Sequence, residues 1–315
     1  MIKNILIASL ILVLTGSIWF QNSISAKSKT LEFKAFEIAQ GESLDMISKS
    51  LEDVGLIKNS LAFRILAAGK GQARNLQAGS FRLSASQTTS EILSELSTGT
   101  FDVLITIPEG WRVEEIGQYL KQKLGVEDAE FVKVAREGFM FPDTYLVPKK
   151  STAADIAKIM LNNFNQKVNT NLQNKIQSSG LSLNQVIILA SIVERETKFA
   201  EDRPIVAGIL IKRWRQDLAL EADATTQYAL GFQAQEASWW KKTLTDTDLK
   251  IDSSYNTRKF AGLPPGPICN PGFASIEAVV EPTKTGYYYY VSDSQGHMYY
   301  AQNLAEHIEN IRNHL

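Results

Sequence analysis

A repetition in the first half of the chain constrains the fold most. "FEIAQGESLDMISKSLEDVGL" begins at Phe36, and "ITIPEGWRVEEIGQYLKQKLGV" begins at Ile105. Ile38 corresponds to Ile107, Gly41 to Gly110, Leu44 to Val113, Ile47 to Ile116 and Leu51 to Leu120, every pair offset by 69 residues. Each copy reads as a short strand, a glycine-containing turn and a helix with apolar residues at i, i+3 and i+7. Ser43 stands where it would cap the first helix. A strand–turn–helix unit cannot bury its apolar face alone. Either the two copies pack together, or each packs on a partner strand of its own. Between them Ser80–Leu83, after Gly79, reads as a strand, and a short helix begins at Ser90.

Such a module either grips an extended polymer, such as a glycan strand, or serves as a stalk. "EGFMFPDTYLVPKKST", residues 137–152, reads as a boundary: Pro142 and Pro148 break helices, and Phe139, Phe141 and Tyr145 ask for a neighbour to pack on. Residues 153–231 read mainly as helices. From residue 286, "GYYYYVSDSQGHMYYAQNL" reads as a hairpin around a Ser-Asp-Ser-Gln-Gly turn, and a last helix spans about 302–314. The expected fold class is α+β. The expected domains are residues 1–26, 27–150 and 151–315.

The chain begins with a basic tip, Lys3, and an apolar run from Ile5 to Phe20 that ends before Lys27. This run is at the short end for a spanning helix. Its readings are an uncleaved anchor, a cleaved signal peptide with Ala26 at the cut, or a buried soluble helix. The first two both carry the chain beyond residue 27 out of the cytoplasm, with the N-terminus inside. Composition excludes other classes. The formal net charge of −1 leaves no basic excess to neutralise phosphates, so no nucleic-acid partner is expected. A single cysteine, Cys269, rules out an intramolecular disulfide framework and suits an oxidising compartment, where spare thiols are a liability. Three histidines without metal-site spacing give no reason to expect a metal, and no cofactor is expected.

Chemistry concentrates in "IILASIVERETKFAED", residues 187–202. On a helix Glu194 and Glu196 point about 200° apart, so they do not share a face. Leu189, Ile192 and Val193 lie at i−7, i−4 and i−3 from Glu196, which therefore continues an apolar stripe. The same offsets from Glu194 give Ile187, Ala190 and Ser191, a smaller and more polar surface. Glu196 is thus the expected desolvated carboxyl, with a raised pKa suited to a general acid. The plain alternative is a pair of solvated glutamates matched to Arg195, Lys198 or Arg203.

Two later stretches read as walls of a cleft. "LALEADATTQYALG", residues 218–231, sets Asp223, Thr225, Thr226, Gln227 and Tyr228 between apolar runs. "SSYNTRKFAGLPPGPICNPG", residues 253–272, reads as a long loop stiffened by four prolines, with Tyr255 and Asn256 ahead of the stiff part. That loop is either a binding loop or a connector. Trp239 and Trp240 suit stacking on a sugar or packing, with packing favoured.

"ASIVERET", "LEADATTQYALG", "YNTRKFAGLPPGPICNPG" and "EGFMFPDTYLVP" together resemble the endolytic murein transglycosylases, the MltG or YceG-like family. The likeness runs in order from about residue 30 to the C-terminus. The "GESLDMIS" turn and helix also resemble the start of a LysM module, a peptidoglycan-binding unit. The resemblance implies a single-pass inner-membrane protein whose LysM-like part and catalytic domain face the cell wall. It implies peptidoglycan glycan strands as substrate, cut internally to leave 1,6-anhydro-MurNAc ends, near the proteins of wall synthesis.

By the same resemblance Glu196, followed by Thr197, is the catalytic acid and Glu194 the runner-up, while Asp223, Thr225, Tyr228, Tyr255 and Asn256 bind substrate. The chain departs from the family pattern at Lys212-Arg213-Trp214, usually "NRL", and at Ala222-Asp223-Ala224-Thr225, usually "TDPT". One acid that serves in turn as base on the sugar's own C6 hydroxyl suffices for such a cut. If Asp223 stands near Glu196, a two-carboxylate hydrolase is the rival chemistry. A membrane-tethered, non-catalytic wall-binding scaffold is the rival from another class.

Overall fold

The computed structural model describes residues 14–30, 32–98, 102–149 and 151–315. The apolar run therefore lies largely outside the described residues. Its described end, residues 14–24, is helical, with Leu14, Ile18 and Trp19 exposed. No single helix among the described residues is long and apolar enough to cross a membrane. The described residues mix helices with three two-stranded sheets, the expected α+β class.

The chain forms two compact units. The first comprises residues up to 104 together with 146–150. In it β1 (Phe33–Ile38) runs antiparallel to β2 (Gly79–Ser84), with Phe36 opposite Phe81. The helices α1 (Leu44–Asp53), α2 (Ser60–Gly69) and α3 (Thr89–Thr98) complete it. Ser43 caps α1 by accepting from the Met46 amide, and Asn59 caps α2 through the Ala62 amide at 3.0 Å. The apolar faces meet in a core of Phe36, Ile38, Ile47, Leu51, Phe63, Phe81, Leu83, Ile92 and Leu96.

The second unit comprises residues 105–145 and 151–315. The boundary differs from the one expected at residue 150, because residues 105–145 group with the C-terminal unit. The reason is a set of bonds made by Asn270. Its amide nitrogen and side chain bind the Trp111 carbonyl, both at 2.9 Å, and its Oδ1 accepts from the Met140 amide at 2.9 Å. The strands β3 (Asp102–Thr106) and β4 (Thr144–Pro148) pair as a two-stranded ribbon. Each copy of the repeat thus has its own partner strand, β2 for the first and β4 for the second. Gly41 and Gly110 sit at φ +81° and +77°, the left-handed region that favours glycine, which is why both turns carry one.

Helices α4 (Val113–Leu124) and α5 (Asp128–Val134) precede β4. Phe139, Phe141 and Tyr145 are buried, and Phe139 packs on Phe164 with ring centroids 4.9 Å apart. There follow α6 (Ala153–Lys167), α7 (Thr170–Ser179) and α8 (Leu183–Glu196). Ser182 begins α8 with a reciprocal capping box to Gln185. Then come α9 (Arg203–Arg215), α10 (Asp223–Leu230) and α11 (Phe273–Val280). All three lie against α8. The hairpin of β5 (Tyr289–Ser292) and β6 (Met298–Ala301) and the closing helix α12 (Leu304–His314) fall where the sequence puts them.

Candidate active site

Helix α8 is the axis of the second unit. Every residue from Val186 to Val193 is buried. A helix apolar all round is enclosed rather than amphipathic, so the expected contrast between two faces does not hold. Both terminal glutamates leave bulk water, and what separates them is their partners.

The Glu194 side chain is only 6% exposed and pairs with Arg203 at 3.1 Å. Its other oxygen accepts from the Gly272 amide at 2.9 Å. Its charge is thus matched inside the protein, and its oxygens are occupied in tying α8 to α9 and to the start of α11. Among the described residues Glu196 has no ion-pair partner of its own, Arg258 being paired with Asp223. Its Oε1 accepts from the Ala224 amide at 3.2 Å, and the Tyr290 hydroxyl stands nearby. Burial pushes its carboxyl up to about 7, while the Ala224 amide opposes the rise, the nearby Asp223 charge adds to it, and Tyr290 and Arg258 oppose it. Thr197 ends the helix in extended backbone, its hydroxyl donating to the Val193 carbonyl at 2.8 Å.

Glu196 opens on a cleft of about 510 Å³ whose walls include Asp223, Arg258, Arg213, Glu221 and Tyr288–Tyr290. Asp223 opens α10 and is held by Arg258, whose Nε and Nη2 both reach its Oδ1, at 2.7 and 2.6 Å. The Ala224 amide belongs to the first turn of α10, where the helix favours negative charge. The arrangement suits a carboxyl that gives up a proton and is then stabilised as the anion.

The other candidate residues divide. Tyr228 and Tyr255 come together, ring centroids 4.8 Å apart, with the Arg112 guanidinium 4.0 Å over the Tyr228 ring. Burial raises the pKa of both phenols. Neither lines the cleft that holds Glu196. Thr225 and Asn256 are fully buried. The Thr225 hydroxyl lies 2.8 Å from that of Thr257, and the Asn256 amide donates to the Leu249 and Ile251 carbonyls, each at 3.0 Å. Both residues therefore pin the 249–257 segment and offer a ligand no surface. The proline-rich loop is likewise part of the packing: Ile268 and Cys269 are buried, and the Ile268 amide donates to Ser191 Oγ at 3.0 Å. Trp240 packs as favoured, its indole donating to Glu115 at 3.0 Å beneath Arg195. At the first departure from the family pattern, Lys212 donates to the Thr285 carbonyl at 3.1 Å and lies over Tyr288.

Sequence reasoning misses Tyr290 and Arg258, because nothing local ties them to residue 196. It also misses Glu137, a buried carboxyl pushed up to about 8 by burial and by Glu114. Glu137 accepts from the Val113 amide at 3.2 Å and from the Asn270 side chain at 3.0 Å. Its place in "EGFMF" is the only local signal for it.

The YceG-like family matches residues 36–313. The chain belongs to the YceG-like family. An endolytic murein transglycosylase of Streptococcus pneumoniae serotype 2 strain D39 is 30% identical over 335 residues, covering 93% of this chain and 60% of the relative. One of Bacillus subtilis strain 168 is 29% identical over 302 residues, covering 86% and 81%. The chain thus spans about 60% of the length of the pneumococcal relative. A YceG-like protein of Listeria monocytogenes, solved by crystallography at 2.6 Å, superposes with a TM-score of 0.59 at 28% identity, covering 90% of this chain and 99% of that one.

Proposed function

We propose that the chain is an endolytic lytic transglycosylase that cuts peptidoglycan glycan strands between MurNAc and GlcNAc and leaves 1,6-anhydro-MurNAc ends. The carrying observation is Glu196, a carboxyl raised to about 7 on the wall of a cleft. Family relatives named endolytic murein transglycosylases support the same reading.

In this mechanism the protonated Glu196 carboxyl gives its proton to the glycosidic oxygen as the bond from MurNAc C1 to that oxygen breaks. Positive charge develops on the MurNAc ring. The Glu196 carboxylate, held by the Ala224 amide beside Tyr290, then takes the proton of the MurNAc C6 hydroxyl while O6 bonds to C1. The leaving sugar keeps the first proton, Glu196 regains one, and no water is consumed. Asp223 acts beside it as an Arg258-paired charge.

The apolar N-terminal run serves in this reading as a membrane anchor, N-terminus inside. It holds a LysM-like first unit and the catalytic unit on the wall side, within reach of the wall-synthesis proteins. The exposed Leu14, Ile18 and Trp19 support a helix that meets lipid.

Digestion of purified strands, read by mass, tests the reaction. Wild type gives ends lighter by one water than reducing ends, and E196Q gives none. Reducing ends would mean the two-carboxylate hydrolase. Uncut strands with wild type, bound but intact, would mean a scaffold.

A further inference from the structure

The cleft that holds Glu196 also carries three cationic side chains, Arg213, Lys242 and Arg258. Two of them are engaged within the protein. Arg213 donates to the Ala219 and Tyr288 carbonyls at 2.8 and 3.0 Å and pairs with Glu221. Arg258 pairs with Asp223.

Lys242 is different. Its backbone is fixed by its surroundings. The buried Trp240 is bonded to Glu115, and the Lys241 carbonyl accepts from Gln227 at 2.7 Å. Lys241 Nζ sits 2.6 Å from Asp248, and the Lys242 amide donates to Glu236 at 3.0 Å. Yet the Lys242 side chain is exposed, and its ammonium makes no hydrogen bond or ion pair among the described residues. A cation on a fixed backbone beside the cleft, with no ion-pair partner among the described residues, is complementary to an anion on whatever fills the cleft.

The sugar rings of a glycan strand are neutral. Charge enters only on the 3-O-lactyl arm of MurNAc, as the lactyl carboxylate itself or as the carboxylates of a stem peptide attached there. We infer that Lys242 binds a carboxylate carried on this arm, so that the cleft selects acidic strands over neutral ones. The inference rests on the glycan-strand reading of the cleft.

Calorimetric binding of strand fragments to E196Q protein tests it without requiring turnover. Three fragments are compared: peptide-bearing, peptide-bearing with every carboxylate amidated, and peptide-free with the lactyl carboxylate exposed. K242M, added to E196Q, weakens binding of the acidic peptide-bearing fragment by up to about fivefold, the upper end for an exposed ion pair. K242R restores that binding, the difference shrinks in salt, and the amidated fragment binds both proteins equally. An effect of K242M on the peptide-free fragment alone places the contact on the lactyl carboxylate, which the peptide-bearing fragments no longer carry, and an effect on the acidic peptide-bearing fragment places it on the stem peptide. Equal effects of K242M on all three fragments, or no effect on any, overturn the inference while the glycan reading stands. Failure of E196Q to bind any fragment overturns both.

Discussion

Replacing Tyr290 with phenylalanine removes one hydroxyl and keeps the ring that lines the cleft. That hydroxyl stands near Glu196 and holds its carboxyl below the value burial alone would set. A fully formed hydrogen bond to a charged group is worth about 1.5–3 kcal/mol. With about 1.4 kcal/mol per pH unit, that bounds the rise in the Glu196 pKa at about one to two units, and a hydroxyl beyond ideal bonding distance gives the lower end, about one. A general acid works while protonated, so activity is present below the Glu196 pKa and falls above it. The assay is kcat/KM for strand cutting as a function of pH, which reports the free enzyme. Wild type should lose activity around pH 7, the value to which burial raises Glu196. Tyr290→Phe should move that falling limb upward by about one pH unit. A limb that stays in place or moves down would refute the assignment of the titrating acid to Glu196.

Glu194→Gln leaves the buried Arg203 with only Glu109, 3.6 Å away; a fully one-sided loss of a buried pair costs about 3–5 kcal/mol, so chemical denaturation should show a smaller loss than that, while anhydro ends still form. Thr225→Val strips the bond to Thr257 and should lower stability by about 1–3 kcal/mol in the same assay, with affinity for strands unchanged, because the side chain never reaches the cleft. Gly208→Ala would drive a methyl into the Thr283 carbonyl oxygen, so a sharp fall in melting temperature is expected. Glu137 and Glu196 hold protons more tightly folded than unfolded, with carboxyls raised to about 8 and about 7 from 4.5. Their contribution is complete below pH 4.5 and is lost as pH rises through those values, so thermal stability should decline across that range and decline less in Glu137→Gln.

Local patterns carried much of the architecture. The glycines at 41 and 110, the apolar spacing behind them and the Ser43 cap announced two strand–turn–helix units before any contact was visible. The tyrosine-rich run around Ser-Asp-Ser-Gln-Gly marked the hairpin. Periodicity could not show that α8 is enclosed on every side, since that depends on α9, α10 and α11 arriving from elsewhere in the chain. For the same reason Glu194 looked the more solvated of the two glutamates, whereas Arg203 and Gly272 enclose it. Asn256 read as a ligand-binding amide because its partners, the Leu249 and Ile251 carbonyls, are backbone groups that side-chain patterns do not reveal. Tyr290 lies far along the chain from Glu196, and only tertiary structure joins them. That residues 105–145 group with the C-terminal unit was not legible, because Asn270 secures residues 111 and 140 from more than a hundred positions away.

The central claim, that a desolvated carboxyl at position 196 still holds its proton near neutral pH, has a direct measurement. Isotope-edited infrared difference spectra between wild type and E196Q report the protonated carboxyl band of this one residue as pH is raised. A midpoint near 7 is expected from burial in the cleft. A midpoint at the ordinary 4.5 would contradict the account.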